Sequence, residues 1–515
     1  MLDSYRHKFL DYLPAVISGV LLILAFPVFD LYLLAWVAFV PLLLSLWKKT
    51  PGEAFRAGFV FGVIYFFGTL YWIYYSVNFY GGLSLFKSLA LVLLLCCYLS
   101  IYPAIFAYFF SSFIKKTKMP AILIGPVLWV VLEFVRAYLF TGFPWSSIGY
   151  SQYKFLSIIQ IADLTGVYGI SFLVLAFNCA IVDSLLITSR IRKMPLFPLS
   201  YTVAGFVLLF SFMAFSVGYG LWRLNESRPG ATVRISIVQG NIEQDQKWDP
   251  AFQKYVMDTY SGLSVEAAET SPDLIVWPET AVPFYFGYDK DHTRDLIEFQ
   301  KNLNAYLLFG SILEKESSQG ENLLTNSVIL LDKEGKKVYQ YDKIHMVPFG
   351  EYVPLKRILF FLDKLVAGIG DYAPGNRHIS ATTEFGSFAP VICYEIIFPG
   401  LVRKFYSKGG DFLVTVTNDA WFGKTAGPHQ HFSMAVFRAI ENRKPVVRSA
   451  NTGISGVIDS NGRILAKTGL FQRLVVSENI KTDNSLTAYS RYGDLFMYFC
   501  ILIFAVLLIN LRSWR

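Results

Sequence analysis

Hydrophobic and polar positions follow two different rules along this chain. Up to about residue 224, and again over roughly the last 20 residues, apolar side chains come in long runs separated by short polar clusters. Between them, from about 231 to 480, apolar residues alternate with polar ones or recur at helical spacing. A helix needs about 20 apolar residues to cross the hydrocarbon of a bilayer. Eight runs meet or approach that length, near residues 12–28, 31–47, 57–77, 84–113, 119–140, 165–188, 196–223 and 495–511, and they predict eight transmembrane (TM) helices. The first two are short and break at Pro27 and Asp30. The first run does not read as a cleaved signal peptide, because a second apolar run follows at once and the later spans hold the chain in the membrane anyway.

The middle region predicts strands at 231–240 (ATVRISIVQG), 273–280 (DLIVWPET), 305–313, 326–332, 387–395 (SFAPVICYE), 411–419 (DFLVTVTND), 446–453, 455–460 and 463–469. Helices are predicted around 251–269, 293–304, 399–408 and 431–442, and a hairpin through 334–341. Strand and helix alternating at this spacing is an α/β pattern, in which ligands meet the chain just beyond the carboxyl ends of strands. The expected organisation is a membrane domain over 1–224, a soluble catalytic domain over 225–485, and a last span with a C-terminal tail over 486–515.

Composition agrees. With 54% hydrophobic and 16% charged residues and a mean hydropathy of +0.44, the chain is too apolar for an ordinary soluble protein. A soluble region of about 250 residues can bury its own core without staples. Of five cysteines, Cys96, Cys97, Cys179 and Cys500 sit in apolar runs, which leaves Cys393 alone in the soluble region with no disulfide partner.

The net charge of +8 points to topology rather than to nucleic acid, because the basic residues cluster between apolar runs: Arg6 and Lys8; Lys48, Lys49 and Arg56; Lys115, Lys116 and Lys118; Arg190, Arg192 and Lys193; Arg512 and Arg515. Eight spans put all of these and both termini in the cytoplasm, and the soluble domain on the other side, in a bacterium the periplasmic face of the inner membrane. Glu133 and Arg136 lie three residues apart on one face of the fifth span, which suits either a functional site or a buried pair serving assembly. The aromatic run from Tyr65 to Tyr80, with Trp145 and Tyr150, reads as interfacial belts or as the lining of a lipid entrance.

Three potent side chains fall at or near strand ends. Glu279 ends DLIVWPE, Cys393 ends SFAPVIC, and Lys343 follows the hairpin. Each taken singly reads as a solvated charge or a packed thiol. Together they supply what acyl transfer through a thiol requires: a nucleophile, a base to take its proton, and positive charge where an oxyanion develops. Cys393 also lies at a strand-to-helix turn, the geometry that lifts a nucleophile out of a sheet. His429 and His431 form an HQH pair, which without a third ligand is weak ground for a metal; no metal or cofactor is expected.

The segments WPET, YDKIHMVPFGEYVP, VICYEIIFP and TNDAWF resemble the nitrilase superfamily, and in detail the apolipoprotein N-acyltransferases of bacterial inner membranes. The resemblance covers nearly the whole chain. It implies an α-β-β-α sandwich beside the membrane helices, with Glu279 as general base, Lys343 as oxyanion stabiliser and Cys393 as acyl-carrying nucleophile. It also implies supporting roles for Glu351, Glu395, Tyr394 and Asn326, a mobile arm bearing Trp248, and Arg136 as a membrane arginine near the lipid site. The implied reaction moves an acyl chain from a phospholipid, commonly phosphatidylethanolamine, through a thioester to the amine of a diacylglyceryl-modified N-terminal cysteine of an apolipoprotein. Apolar arms at 284–288 and 359–366 are expected to form a lid and an acyl groove. The competing readings are a membrane-tethered nitrilase-like amidase and a transporter with a receptor domain; the latter predicts broken half-helices in paired repeats, which the sequence lacks. A monomer is expected.

Overall fold

The computed structural model describes residues 10–117, 119–188, 199–227, 230–316, 322–352, 372–407 and 409–513. The chain divides into two compact units, one comprising Met1–Asn78, Ser84–Glu226 and Tyr492–Arg515, the other Phe79–Leu83 and Ser227–Arg491.

The first unit is helical. In chain order it contains α1 (Leu13–Ala25), α2 (Val40–Leu46), α3 (Pro51–Leu70), α4 (Leu85–Thr117), α5 (Ala121–Tyr138), α6 (Val167–Thr188) and α7 (Leu199–Asn225), with a last helix over Leu495–Ser513. Among the described residues five helices are long and apolar enough to cross a membrane: Pro51–Leu70, Leu85–Thr117, Ala121–Tyr138, Val167–Thr188 and Ser200–Asn225. The other three predicted spans coincide with shorter apolar helices, Leu13–Ala25, Tyr32–Leu46 and Leu495–Ile509. Length and apolarity therefore support five crossings, and α1 ends at Ala25, just ahead of the expected break.

Burial ranks these helices. In α5, 72% of the apolar window is buried inside the protein, against 22% in α7, so α5 is the core helix and α7 turns most of its surface outward. The first turn of α5 has amides without intrahelical partners. The Asp183 carboxylate on α6 accepts two of them, Ala121 N and Ile122 N, both at 2.9 Å. Contact between α3 and α4 depends on small residues: a Cβ on Gly58 would lie 2.7 Å from that of Ala107, and one on Gly62 would lie 2.8 Å from Ser100 Cα.

Trp145 and Tyr150 are each 1% exposed, with Trp145 against Trp72 at 4.8 Å between ring centroids. Both belong to the core of this unit and form neither belt nor entrance. Nor do Glu133 and Arg136 pair with each other. Glu133 accepts the Ile148 amide at 2.8 Å, while Arg136 donates to the Trp145 carbonyl at 2.6 Å and to Ser147 Oγ at 3.1 Å. Both side chains bond to the irregular segment after α5, where backbone groups have no helical partners.

The second unit is built on two six-stranded sheets. Its strands are β1 (Thr232–Gln239), β2 (Leu274–Val276), β3 (Tyr306–Glu316), β4 (Asn322–Leu331), β5 (Lys337–Asp342), β6 (Ala381–Thr383), β7 (Gly386–Ile392), β8 (Phe412–Thr417), β9 (Val446–Ala450), β10 (Gly456–Ile458), β11 (Ile464–Lys467) and β12 (Leu474–Lys481). The orders are β12-β1-β2-β3-β4-β5 and β11-β10-β9-β8-β7-β6. In the first sheet β1, β2 and β3 run parallel; in the second β7, β8 and β9 do.

The longer helices described in this unit are α8 (Gln253–Ala268), α9 (Lys290–Lys301), α10 (Pro399–Tyr406) and α11 (Gly427–Asn442). Val256, Tyr260 and Leu296 of α8 and α9 join Ile275, Leu307 and Ile329 in one buried apolar cluster on the first sheet. Helix α11 lies on β9 and β10. The sheets meet face to face, where Ser449 Oγ of β9 reaches the Val276 carbonyl of β2 at 3.2 Å. The layers are thus helix, sheet, sheet, helix. Because both faces of β7, β8 and β9 are covered, nearly all their residues are buried and no apolar–polar alternation marks a solvent face.

Candidate active site

Loops after β2, β5, β7 and β8 assemble the site; all of these strands but β5 are parallel to a neighbour. Glu279 lies three residues beyond β2, Lys343 directly follows β5, Cys393 directly follows β7, and Asn418 directly follows β8. Asn326 reaches in from β4. Two of these turns use left-handed backbone at non-glycine residues, with φ of +45° at Thr280 and +52° at Cys393. Such conformations cost energy and persist only where surrounding structure holds them. Gly310 on β3 permits the first: a Cβ there would lie 2.7 Å from Glu279 Cα.

Glu279, Glu351, Lys343 and Asn326 form one buried polar cluster. Lys343 Nζ lies 2.8 Å from Glu351 Oε1 and 3.6 Å from Glu279 Oε1. Asn326 Nδ2 bridges the same two carboxylates, at 2.8 Å to Glu279 and 3.1 Å to Glu351. The remaining Glu279 oxygen accepts the Asn418 amide at 2.9 Å, and Glu351 Oε2 accepts that of Val347 at 2.8 Å. Burial alone would strip the Lys343 proton, but Glu351 and Glu279 outweigh it and hold the ammonium charged. Glu351 thus neutralises Lys343, which leaves Glu279 at the longer distance with a less committed oxygen.

Cys393 is 7% exposed. Burial pushes its thiol up, Glu279 pushes it further, and Lys343 opposes both. The resting group is therefore a thiol, and attack requires a base. Glu279 and Lys343 are the charges acting most strongly on it, which makes the three residues one electrostatic unit.

Glu395 holds the frame. Its Oε2 accepts the Ile392 amide at 2.7 Å; its Oε1 accepts Tyr341 Oη and Ile344 N at 2.7 Å and His345 N at 3.0 Å. One carboxylate thereby ties the turn of Cys393 to the loop of Lys343. It is fully buried, and burial raises its pKa. Tyr394 packs edge-on against Phe398 with ring centroids 5.1 Å apart. Trp248 is half-buried, 5.9 Å from the Tyr285 ring. Arg136 belongs to the helical unit.

Sequence reading missed a second set of charges. His431 Nε2 lies 3.1 Å from the Cys393 carbonyl, which can only accept, so that nitrogen carries the proton. Its Nδ1 lies 3.0 Å from both Asp419 Oδ1 and the Arg448 guanidinium; burial and Arg448 lower the pKa of the ring, and Asp419 opposes them. Arg448 also donates to Asp419 Oδ2 at 2.7 Å. His431 thus ties the strained turn at Cys393 to Asp419 and Arg448. Arg448 interrupts the apolar run of β9, and a charge in a buried strand demands a partner; that was the available signal. The expected lid at 284–288 is corrected in part, since Phe284 and Phe286 lie in the buried apolar cluster on the first sheet. The second arm, 359–366, lies outside the described residues.

Residues 18–180 match the family model of the apolipoprotein N-acyltransferase N-terminal domain, and residues 234–485 that of carbon-nitrogen hydrolases. The chain is 43% identical over 493 residues to an apolipoprotein N-acyltransferase of Geobacter metallireducens, covering 95% of this chain and 93% of that one. It is 32% identical over 518 residues to the protein of that name from Pasteurella multocida, covering 96% and 94%. Among solved structures it matches a carbon-nitrogen hydrolase from Helicobacter pylori with a TM-score of 0.39 and 14% identity, over 53% of this chain and 93% of that one.

Proposed function

Because the chain belongs to the apolipoprotein N-acyltransferase family, we propose that it transfers an acyl chain from a membrane phospholipid, through a thioester on Cys393, to the N-terminal amine of diacylglyceryl-cysteine in apolipoproteins. Phosphatidylethanolamine is the proposed donor. The observation that carries this reading is the burial of a nucleophilic thiol, a carboxylate and a charged lysine in one cluster at strand ends, in a chain that also has five helices fit to span a bilayer.

In the first step Cys393 Sγ attacks the ester carbonyl carbon while its proton passes to Glu279. The developing oxyanion is stabilised by the Lys343 ammonium. When the tetrahedral adduct collapses, the C–O bond breaks and the lysophospholipid alcohol leaves with the proton from Glu279. In the second step the acceptor amine attacks the thioester and gives its proton to Glu279. The C–S bond breaks, the amide forms, and the Cys393 thiolate recovers a proton. Ping-pong kinetics follow.

Eight crossings, cytoplasmic termini and a periplasmic catalytic domain complete the proposal, with donor and acceptor confined to one leaflet, where their effective concentration is high. Intact-mass spectrometry after incubation with phospholipid alone tests it. The expected result is a hydroxylamine-labile adduct of one acyl chain in the wild type, absent from Cys393→Ser and Cys393→Ala. A folded wild type without an adduct would remove the thioester, and release of free fatty acid without transfer would favour the amidase.

A further inference from the structure

The arm that carries Trp248 also sends a lysine into the site. Lys247 is fully buried, and its Nζ donates to the Glu279 carbonyl at 2.7 Å and to Thr280 Oγ1 at 2.5 Å. A buried amine with no carboxylate in direct contact is costly unless its position has a use. Those two acceptors belong to Glu279, whose charge acts on the Cys393 thiol, and to the strained residue after it, at φ +45°. A second contact from the same arm reaches the same carboxylate by another route. Asn418 Nδ2 donates to Gln244 Oε1 at 2.5 Å, and the Asn418 amide donates to Glu279 Oε2. The arm itself is anchored by Asn451, which accepts from Ile242 N at 2.9 Å and donates to Ile242 O at 2.7 Å.

We propose that Lys247 is a positioning residue for the base: it clamps the Glu279–Thr280 backbone in its left-handed turn and so aims the Glu279 carboxylate at the Cys393 thiol. Glu279 and Cys393 are also the charges this amine faces; burial lowers Lys247 to about 7 while both pull it back up. Lys343 and Lys247 therefore divide the work. Lys343 is bound through its ammonium to the Glu279 and Glu351 carboxylates, whereas Lys247 holds the main chain from which Glu279 projects.

The inference rests on the reading of Glu279 as base, and the test separates the two. The full-length protein in detergent micelles is treated with iodoacetamide, and alkylation of the Cys393 peptide is followed by mass spectrometry beside phospholipid-dependent acylation kinetics. Lys247→Met, which keeps the stem and removes the donor, is expected to slow alkylation about tenfold and to lower kcat about 10–100-fold, with KM changed by no more than about twofold. Lys247→Arg is expected to recover a large part of both rates, which restored packing alone would not do. Alkylation and kcat at wild-type values in Lys247→Met, with Glu279→Gln impaired, overturn the positioning role and leave the base intact. Wild-type alkylation in Glu279→Gln overturns the base itself. Should Lys247→Met fail to fold, Thr280→Val removes one of the two acceptors; a fall of about threefold supports the proposal and an unchanged rate overturns it.

Discussion

At the scale of single residues, the charges under the nucleophile set the response to acid. Asp419 is fully buried, and although burial would raise its carboxyl, Arg448 and His431 hold it well below the usual range. An unfolded aspartate titrates at about 3.9, so on acidification the unfolded chain takes up this proton before the folded one does. The stability contributed by Asp419 is therefore present above that value and is lost as pH falls toward the folded pKa. Asp419→Asn, which leaves Arg448 buried without its counter-charge, is expected to cost about 3 kcal/mol near neutrality. Thermal unfolding across pH 3–7 checks this, with the gap between wild type and variant narrowing below about pH 4. A constant gap would mean that Asp419 titrates alike in both states. Glu279, Lys343 and Cys393 could be singled out from sequence because acyl transfer needs those side-chain types at strand ends. Lys247 and Asp419 could not, since Lys247 works through Glu279, 32 positions on, and Asp419 through Arg448, 29 positions on; Arg448 itself left only the trace of a charge in a buried strand.

At the scale of elements, apolar periodicity located what burial makes regular and missed what pairing makes regular. β12 pairs with β1 from Thr232↔Lys481 to Gln239↔Leu474. Its sequence LVVSENIK is mostly half-exposed, so no alternation betrays it. Helix α11 begins at Gly427, ahead of the expected start near 431, because Gly427 and Pro428 look like a breaker yet proline suits a first helical turn. The packing of α3 against α4 makes a sharper claim. Gly58→Leu would drive a side chain into Ala107 and the Pro103 backbone, whereas a Cβ at Gly52 meets nothing within 4 Å. The first substitution is expected to destabilise the helical unit by about 2 kcal/mol or more, and Gly52→Ala to be neutral or slightly stabilising. Thermal unfolding in detergent compares them; equal effects would show that the close approach carries no energy.

At the scale of the whole molecule, the orientation proposed from the distribution of Lys and Arg has its own test. Lys336, exposed on the turn between β4 and β5, and Lys48, exposed after α2, are proposed to face opposite sides. With cysteine at either position, a membrane-impermeant maleimide added to intact cells with a permeabilised outer membrane is expected to label Lys336→Cys and to spare Lys48→Cys. The reverse pattern would invert the topology. The sequence by itself determined the division into an apolar helical part and an α/β part, because burial in hydrocarbon and burial in a sheet demand different periodicities within a short window. It also determined which side chains have the chemistry for acyl transfer. Only the tertiary structure decided which partners these charges take, as at Glu133, Arg136 and Glu395. Hydrogen-bond partners are assigned by contacts between segments far apart in sequence, and no local pattern records them.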